Sequence, residues 1–168
     1  MAAGPRTLAG LGPPLAGFWR GFLDAHDREA GTPLADVFHF CDNEPDAVEL
    51  AALVLAGSKT GTASLVWTYE AEAAPLPAVG DFSIVTDWSG APLCVIETTG
   101  IVVAAFDSVS AAFAASEGEG DRSLEHWRRV HWDYFGRECA RLGRKPARDM
   151  PVVCENFRVV HRQRAETP

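Results

Sequence analysis

Positive charge is almost absent from the middle of this 168-residue chain. Between Arg28 and Arg122 the only lysine or arginine is Lys59. Residues 1–121 contain 4 basic and 17 acidic side chains, whereas residues 122–168 contain 11 basic and 6 acidic ones, and the net charge is -8. Because an acidic surface repels a long polyanion, this balance disfavours extended nucleic-acid binding by the acidic part of the chain.

The basic C-terminal quarter has two interpretations. Its arginines are interspersed with acidic residues along a predicted helix, a pattern typical of a solvated face with local ion pairs. A patch that binds a polyanion such as RNA is the alternative.

Paired cysteines, metal-binding motifs and long apolar runs are also missing. The four cysteines lie far apart in the sequence, so we expect free and mostly buried thiols. The EGEGD carboxylates do not match a calcium loop, and His126 and His131 are poorly spaced for zinc, so we expect no metal and no cofactor. No uncharged apolar stretch reaches roughly 18 residues, and the first residues lack a secretion-signal pattern. We therefore expect a cytoplasmic protein without a membrane partner.

The pattern of the whole chain predicts an α+β protein. A first amphipathic helix has an apolar stripe formed by Phe18, Trp19, Phe22 and Leu23. A second helix is predicted from the cap at Asn43 to Gly57, and a long one ends at Gly143. The segments that predict strands are TASLVWTYE, GDFSIVTDW, APLCVIETTGIVVAAF and PVVCENFRVVHR. Because short turns join them and the last strand must return to the first, we expect a small closed or partly closed barrel flanked by helices.

Lys59 is the most informative position. It follows the C-terminus of the second predicted helix, where a surface cation would favourably cap the helix. Two patterns point to a site instead: Thr60, Thr62 and Ser64 fall on one side of the strand that follows, and the EGEGD segment supplies carboxylates on a glycine-rich backbone. A lysine, a hydroxyl and a carboxylate would form a plausible hydrolytic set.

Four segments together resemble the ASCH superfamily, a barrel fold related to the PUA domains of RNA-modification enzymes, and in particular its longer bacterial members. These segments are VELAALVLAGSKTGTASL, LPAVGDFSIVTDWSGAPLCVIETTGI, FAASEGEGDRSLEHWRRVHWDYF and VVCENFRVV. The G-x-K signature of the family falls on Gly57 and Lys59. The resemblance implies a PUA-like small mixed or antiparallel β-barrel at residues 34–162, preceded by a helical extension at 1–33 and followed by a tail at 163–168.

The resemblance also implies an activity. Characterised amidohydrolases of this superfamily remove the acetyl group of N4-acetylcytidine with a lysine, a threonine and a glutamate, which match Lys59, Thr62 and Glu117. Ser64 stands where the compact amidohydrolases have an arginine. The residues expected to bind the substrate are Thr60, Ser64, Trp67 and Glu119. The expected partner is a modified nucleoside or single-stranded RNA, and a homodimer is possible.

Two other functions remain open at this stage. Some members of the superfamily look like metal-independent ribonucleases that use the signature lysine with a tyrosine and a serine, and Tyr69 or Tyr134 could supply the tyrosine. A non-catalytic RNA-binding module, in which Lys59 only contacts a phosphate, is the third possibility.

For amide hydrolysis, the sequence leaves the role of each group open. Thr62 would attack the carbonyl and needs a base to take its proton. Lys59 is that base only if its pKa falls well below about 10.4; otherwise its charge would stabilise the oxyanion. Glu117 would orient the set or carry a proton to the leaving amine.

Overall fold

The computed structural model describes residues 10–163. The elements in chain order are α1 (Pro13–Ala25), β1 (Asp36–Phe38), α2 (Glu44–Leu55), β2 (Gly61–Leu65), α3 (Val66–Glu72), β3 (Phe82–Thr86), β4 (Pro92–Ala105), a 3₁₀ turn (Phe106–Ser108), α4 (Ala111–Ser116), α5 (Leu124–Arg141) and β5 (Pro151–Arg162). One five-stranded sheet has the order β1-β3-β4-β5-β2 and curls into a half-barrel flanked by helices. The predicted α+β, PUA-like architecture is confirmed.

Antiparallel pairing dominates the sheet. The β3–β4 hairpin turns at Ser89 and Gly90, and β5 pairs along most of β4 on one edge and with β2 on the other edge. The last strand therefore returns to the first strand that the sequence predicts. Within residues 10–163 the one parallel pair is that of β1 with β3.

The sequence prediction was wrong for the second half of TASLVWTYE. The strand ends at Leu65, and residues 66–72 form helix α3. The β-branched and aromatic residues favour a strand locally, but the helix turns Trp67 onto the core formed with α5 and brings Tyr69 back beside Ser64. Tertiary packing therefore overrides local propensity. Strand β1 was also missed, because three residues are too few to show alternation.

Helix α1 packs its apolar stripe against the sheet. Phe18, Trp19, Phe22 and Leu23 are buried with Leu34 and with the sheet residues Phe82, Ile84 and Val95. Helix α5 covers another part of the sheet with Trp127 and Phe135, which are buried core residues. None of the helices between residues 10 and 163 is both long and apolar enough to cross a bilayer.

Arginines of the basic C-terminal region form local ion pairs. The pairs are Arg137–Asp42, Arg141–Glu138, Arg144–Glu70, Arg148–Asp107 and Arg158–Glu97. Because their partners are carboxylates of the same chain, these arginines fit a solvated face better than a patch that binds a polyanion.

Candidate active site

Lys59 is directed into the protein by the turn that ends α2. Gly57 adopts the left-handed conformation with φ of 77°, and the backbone N–H groups of Ser58 and Lys59 both donate to the carbonyl of Leu53. This turn brings Lys59 into the interior, where it is only 2% exposed. A surface cation that merely caps α2 is therefore excluded.

The EGEGD segment docks directly on this turn. The backbone N–H of Thr60 donates to the carbonyl of Ser116 at 2.8 Å. Gly118 has φ of 72°, and a Cβ at this position would lie 2.3 Å from the carbonyl oxygen of Ser58. Only glycine permits so close an approach, and it brings the carboxylates of Glu117 and Glu119 to the lysine.

A buried ion cluster results. Lys59 Nζ donates to Glu117 Oε2 and to Glu119 Oε1, both at 2.7 Å. The other oxygen of Glu117 accepts from Trp127 Nε1 at 2.7 Å and lies 3.3 Å from His131 Nε2. Glu117 is 1% exposed, so its charge depends on these partners.

The cluster fixes the charges of its two most buried members. Burial lowers the pKa of Lys59, but the nearby charges of Glu117 and Glu119 outweigh it and raise that pKa above the ordinary value. Burial raises the pKa of Glu117, but Lys59 and His131 outweigh it and lower that pKa below its usual range. At neutral pH the lysine is therefore an ammonium group and Glu117 a carboxylate, and neither is ready to accept a proton.

A cleft of about 900 Å³ opens beside the cluster. Five of the seven residues that the sequence singles out line it: Lys59, Thr62, Ser64, Glu117 and Glu119. The cleft-lining residues between 10 and 163 do not include the other two, Thr60 and Trp67.

The positions of Thr60 and Trp67 have local causes. Thr60 precedes β2 and is exposed, and its hydroxyl donates to the carbonyl of Ser116 at 3.3 Å. Trp67 lies on α3, packs against the α5 core, and has the guanidinium of Arg144 4.6 Å above its ring. The alternation expected from Thr60 to Ser64 fails at Thr60 because β2 begins at Gly61, and Trp67 lies beyond the strand because β2 ends at Leu65.

A profile of the ASCH domain family matches residues 36–161. The chain belongs to the ASCH domain family. The solved ASCH domain from Lactobacillus crispatus JV V101 is 37% identical, with a TM-score of 0.83, and the match covers 90% of this chain and 97% of that chain. A structure from Enterococcus faecalis V583 is 34% identical, with a TM-score of 0.80 and 87% of each chain covered. A comparison with functionally curated proteins found no match.

ASCH domains are PUA-like folds associated with RNA binding and with RNA-related hydrolase activity. In this ASCH domain the G-x-K signature corresponds to the turn at Gly57 and the buried lysine. Within residues 10–163 no group of three or more His, Cys, Asp or Glu side chains is arranged to hold a metal ion.

The structure adds contacts to the ASCH cleft that the sequence analysis did not assign. Ser64 Oγ and Tyr69 OH are hydrogen-bonded at 3.0 Å, and burial raises the pKa of Tyr69, so its phenol is neutral. Trp127 and His131 anchor Glu117 from α5, and Glu155 faces the cleft from β5. The sequence analysis named both Ser64 and Tyr69 but did not pair them, because the TYE segment was interpreted as a strand. Trp127, His131 and Glu155 were not assigned to the site, since their positions depend on long-range packing.

The cleft is strongly acidic. Nine carboxylate residues of the described part of the chain line it: Asp36, Asp46, Glu49, Glu72, Asp81, Glu117, Glu119, Glu138 and Glu155. Within residues 10–163, the lysine and arginine residues that line it are Lys59 and Arg141, and each already pairs with a carboxylate; His39, His126 and His131 line it as well. Such a lining suits a neutral or cationic ligand better than a chain of phosphates.

Proposed function

We propose that this ASCH domain hydrolyses the amide of N4-acetylcytidine-type nucleosides. The observation that carries the proposal is the buried Lys59, held by Glu117 and Glu119 at a cleft that Thr62 also lines. In the proposed reaction Thr62 attacks the acyl carbonyl, and the Lys59 ammonium stabilises the oxyanion that forms.

The geometry of the lysine supports an electrostatic role. An ammonium group has three N–H donors, and two of those on Lys59 are given to the two glutamates. The third is left to meet an oxygen in the cleft. Glu117, which Trp127 and His131 hold from behind, keeps the ammonium in place, so the charge needs no reorganisation when the oxyanion develops.

The charge of the cleft supports a nucleoside over a polynucleotide. A nucleoside carries no phosphate, and its amino and hydroxyl groups can donate to the carboxylates of the lining. Each phosphate of an RNA strand would instead meet the acidic wall, since both cations of the cleft are already paired.

A ribonuclease is the second candidate, and one observation favours it. The hydrogen-bonded pair of Ser64 and Tyr69 lies in the same cleft as Lys59, and resembles the lysine, tyrosine and serine set of some ASCH ribonucleases. The acidic lining weighs against this candidate.

The test is turnover of N4-acetylcytidine by the purified protein, with cytidine and acetate measured by chromatography. We expect Thr62→Ala to lower kcat by at least about 10²-fold, because it removes the nucleophile. Thr60→Ala is a matched control that deletes a threonine hydroxyl outside the cleft, and should keep the wild-type rate. Equal rates for the two variants, or no turnover by the wild type, would overturn the proposal.

Unstructured RNA is the second substrate in this test. If the ribonuclease candidate is right, Tyr69→Phe abolishes RNA cleavage while Thr62→Ala retains it. If the amidohydrolase proposal is right, RNA stays intact with every variant.

A further inference from the structure

The proposed reaction lacks a base for the nucleophile. Thr62 must lose its proton as it attacks, yet Lys59 is an ammonium group, and Glu117 already accepts from Lys59 and Trp127 and lies 3.3 Å from His131 Nε2. Another carboxylate lies beside Thr62 on the neighbouring strand. In the antiparallel pair of β2 and β5, Thr62 is opposite Glu155, and both residues line the cleft.

This register places the two side chains together. Residues directly opposite in an antiparallel pair point to the same face, with Cβ atoms about 4.5–5.5 Å apart. A glutamate is long enough to reach a neighbouring threonine hydroxyl over that separation.

Glu155 is also oriented by a neighbour. The hydroxyl of Thr98 on β4, which is 2% exposed, donates to Glu155 Oε1. One oxygen of the carboxylate is thus fixed, and Oε2 is left for a second partner. Burial, together with the charges of Asp81 and Asp36, raises the pKa of Glu155, as suits a group that accepts and returns a proton.

We propose that Glu155 is the catalytic base that activates Thr62. The inference rests on the proposed function for the identity of the acyl donor. In the first half-reaction the Thr62 oxygen bonds to the acyl carbon while its proton passes to Glu155. The C–N4 bond then breaks, and protonated Glu155 returns the proton to the departing amino nitrogen of cytidine.

The second half-reaction repeats the cycle with water. Glu155 takes a proton from a water molecule whose oxygen bonds to the acyl carbon of acetyl-Thr62. The ester bond to Thr62 breaks, acetate leaves, and the proton passes to the Thr62 oxygen. The sum is amide plus water giving amine plus carboxylic acid, with Glu155 regenerated.

Two readouts separate this inference from the proposed function. The first is acetylation of Thr62 by 4-nitrophenyl acetate, followed by stopped-flow absorbance and located by peptide mass spectrometry; it tests the base whatever the natural substrate is. The second is turnover of N4-acetylcytidine. Both are measured for the wild type and Glu155→Gln, with Glu97→Gln as the matched control, because Glu97 lies outside the cleft and pairs with Arg158.

We expect Glu155→Gln to acetylate Thr62 about 10² to 10⁴-fold more slowly, and Glu97→Gln to match the wild type. The pH profile of the wild-type acetylation should rise with ionisation of a carboxyl group, and that rise should vanish in Glu155→Gln. The groups that face Glu155 are Thr62, Thr98, Asp36, Asp81 and Tyr69. A merely structural Glu155 would leave the profile unchanged.

The outcomes are distinct. Fast acetylation of wild-type Thr62 and slow acetylation in Glu155→Gln supports the base even if N4-acetylcytidine is not turned over, in which case only the proposed substrate fails. Equal acetylation rates, an unchanged pH profile, or a wild type whose Thr62 is not acetylated overturns the assignment of Glu155. Melting curves of each variant identify any loss of fold.

Discussion

Glu117 and Glu155 are two carboxylates on different walls of one cleft, and their surroundings are opposite. Glu117 accepts hydrogen bonds from Lys59 and Trp127 and lies beside His131, so its pKa is lowered although burial alone would raise it. Glu155 accepts from the neutral hydroxyl of Thr98 and faces further carboxylates, so burial and those charges raise its pKa.

The comparison shows how one small fold gives two glutamates different roles through their surroundings. A carboxylate beside a buried cation has a lowered pKa, so it stays ionised and holds that cation in place. A buried carboxylate without a cation has a raised pKa and accepts a proton more readily. The G-x-K turn sets this asymmetry, because it delivers the one lysine of the acidic region to the wall formed by α4 and α5.

The largest expected effect comes from removing that cation. Lys59→Met leaves Glu117 buried and uncompensated, so we expect a loss of about 3–5 kcal/mol in the free energy of unfolding, measured by urea denaturation. A lysine that only capped α2 would be worth about 0.3–1 kcal/mol. Because Lys59 is buried, even Lys59→Ala should destabilise the protein far more than an exposed position would allow.

The double variant Lys59→Met/Glu117→Gln serves as the control for this cluster. Removing the uncompensated carboxylate should restore a large part of the lost stability, since the penalty arises from the unpaired charge. If the two substitutions destabilise additively, the lysine and the glutamate are not coupled, and the contrast between the two walls is broken.

The fold was largely predictable from the sequence, because its signals are local. Asn43 caps α2, the apolar stripe of α1 shows helical period, and the Ser89 turn separates two strands. The family resemblance then supplied the barrel. Helix α3 and strand β1 were not predictable in this way, because packing on distant elements decides both.

The candidate site was predictable only where its residues belong to short sequence motifs. The lysine turn and the EGEGD segment are short motifs, so Lys59, Glu117 and Glu119 could be singled out. Glu155 could not, because its position opposite Thr62 depends on the register of two strands some 90 residues apart. The charge state of the lysine likewise needed coordinates, since burial and partners act on it in opposite directions.

The second effect is the pH dependence of the stability that Glu117 contributes. The folded pKa of Glu117 lies below its unfolded value of about 4.5, so its contribution to stability is complete above that pH and is lost as the pH falls toward the folded value. Glu117→Gln should therefore be less stable than wild type at pH 7, by about 1–3 kcal/mol, and the difference should shrink below pH about 4.5. Melting temperatures recorded between pH 3 and pH 7 measure this. A constant difference would contradict the assignment of charge to Glu117.

A smaller effect concerns Tyr69, which lies near the wall of Glu155. Tyr69→Phe deletes the hydrogen bond with Ser64, and a neutral bond of this kind contributes about 0.5–1.5 kcal/mol. Urea denaturation should show a loss in that range. Ser64→Ala in the same background should add little, because the pair is already broken; an additive loss would mean that the two hydroxyls act separately.

The smallest expected effect has the opposite sign and belongs to Glu155. Its folded pKa is raised, so the folded state binds the proton more tightly than the unfolded chain, and stability falls as the pH rises from the unfolded value of about 4.5 toward the folded one. Glutamine keeps the oxygen that accepts from Thr98 but carries no charge, so Glu155→Gln should be as stable as wild type at acid pH and more stable at pH 7. The gain should accompany the loss of Thr62 acetylation, because the charge that costs stability is the one that activates the hydroxyl.

Melting temperatures across the same pH series measure this difference in stability, with Glu97→Gln as the control for an amide at a surface ion pair. A variant destabilised at pH 7 would show that Glu155 is an anchor like Glu117, and the contrast between the two walls would fail.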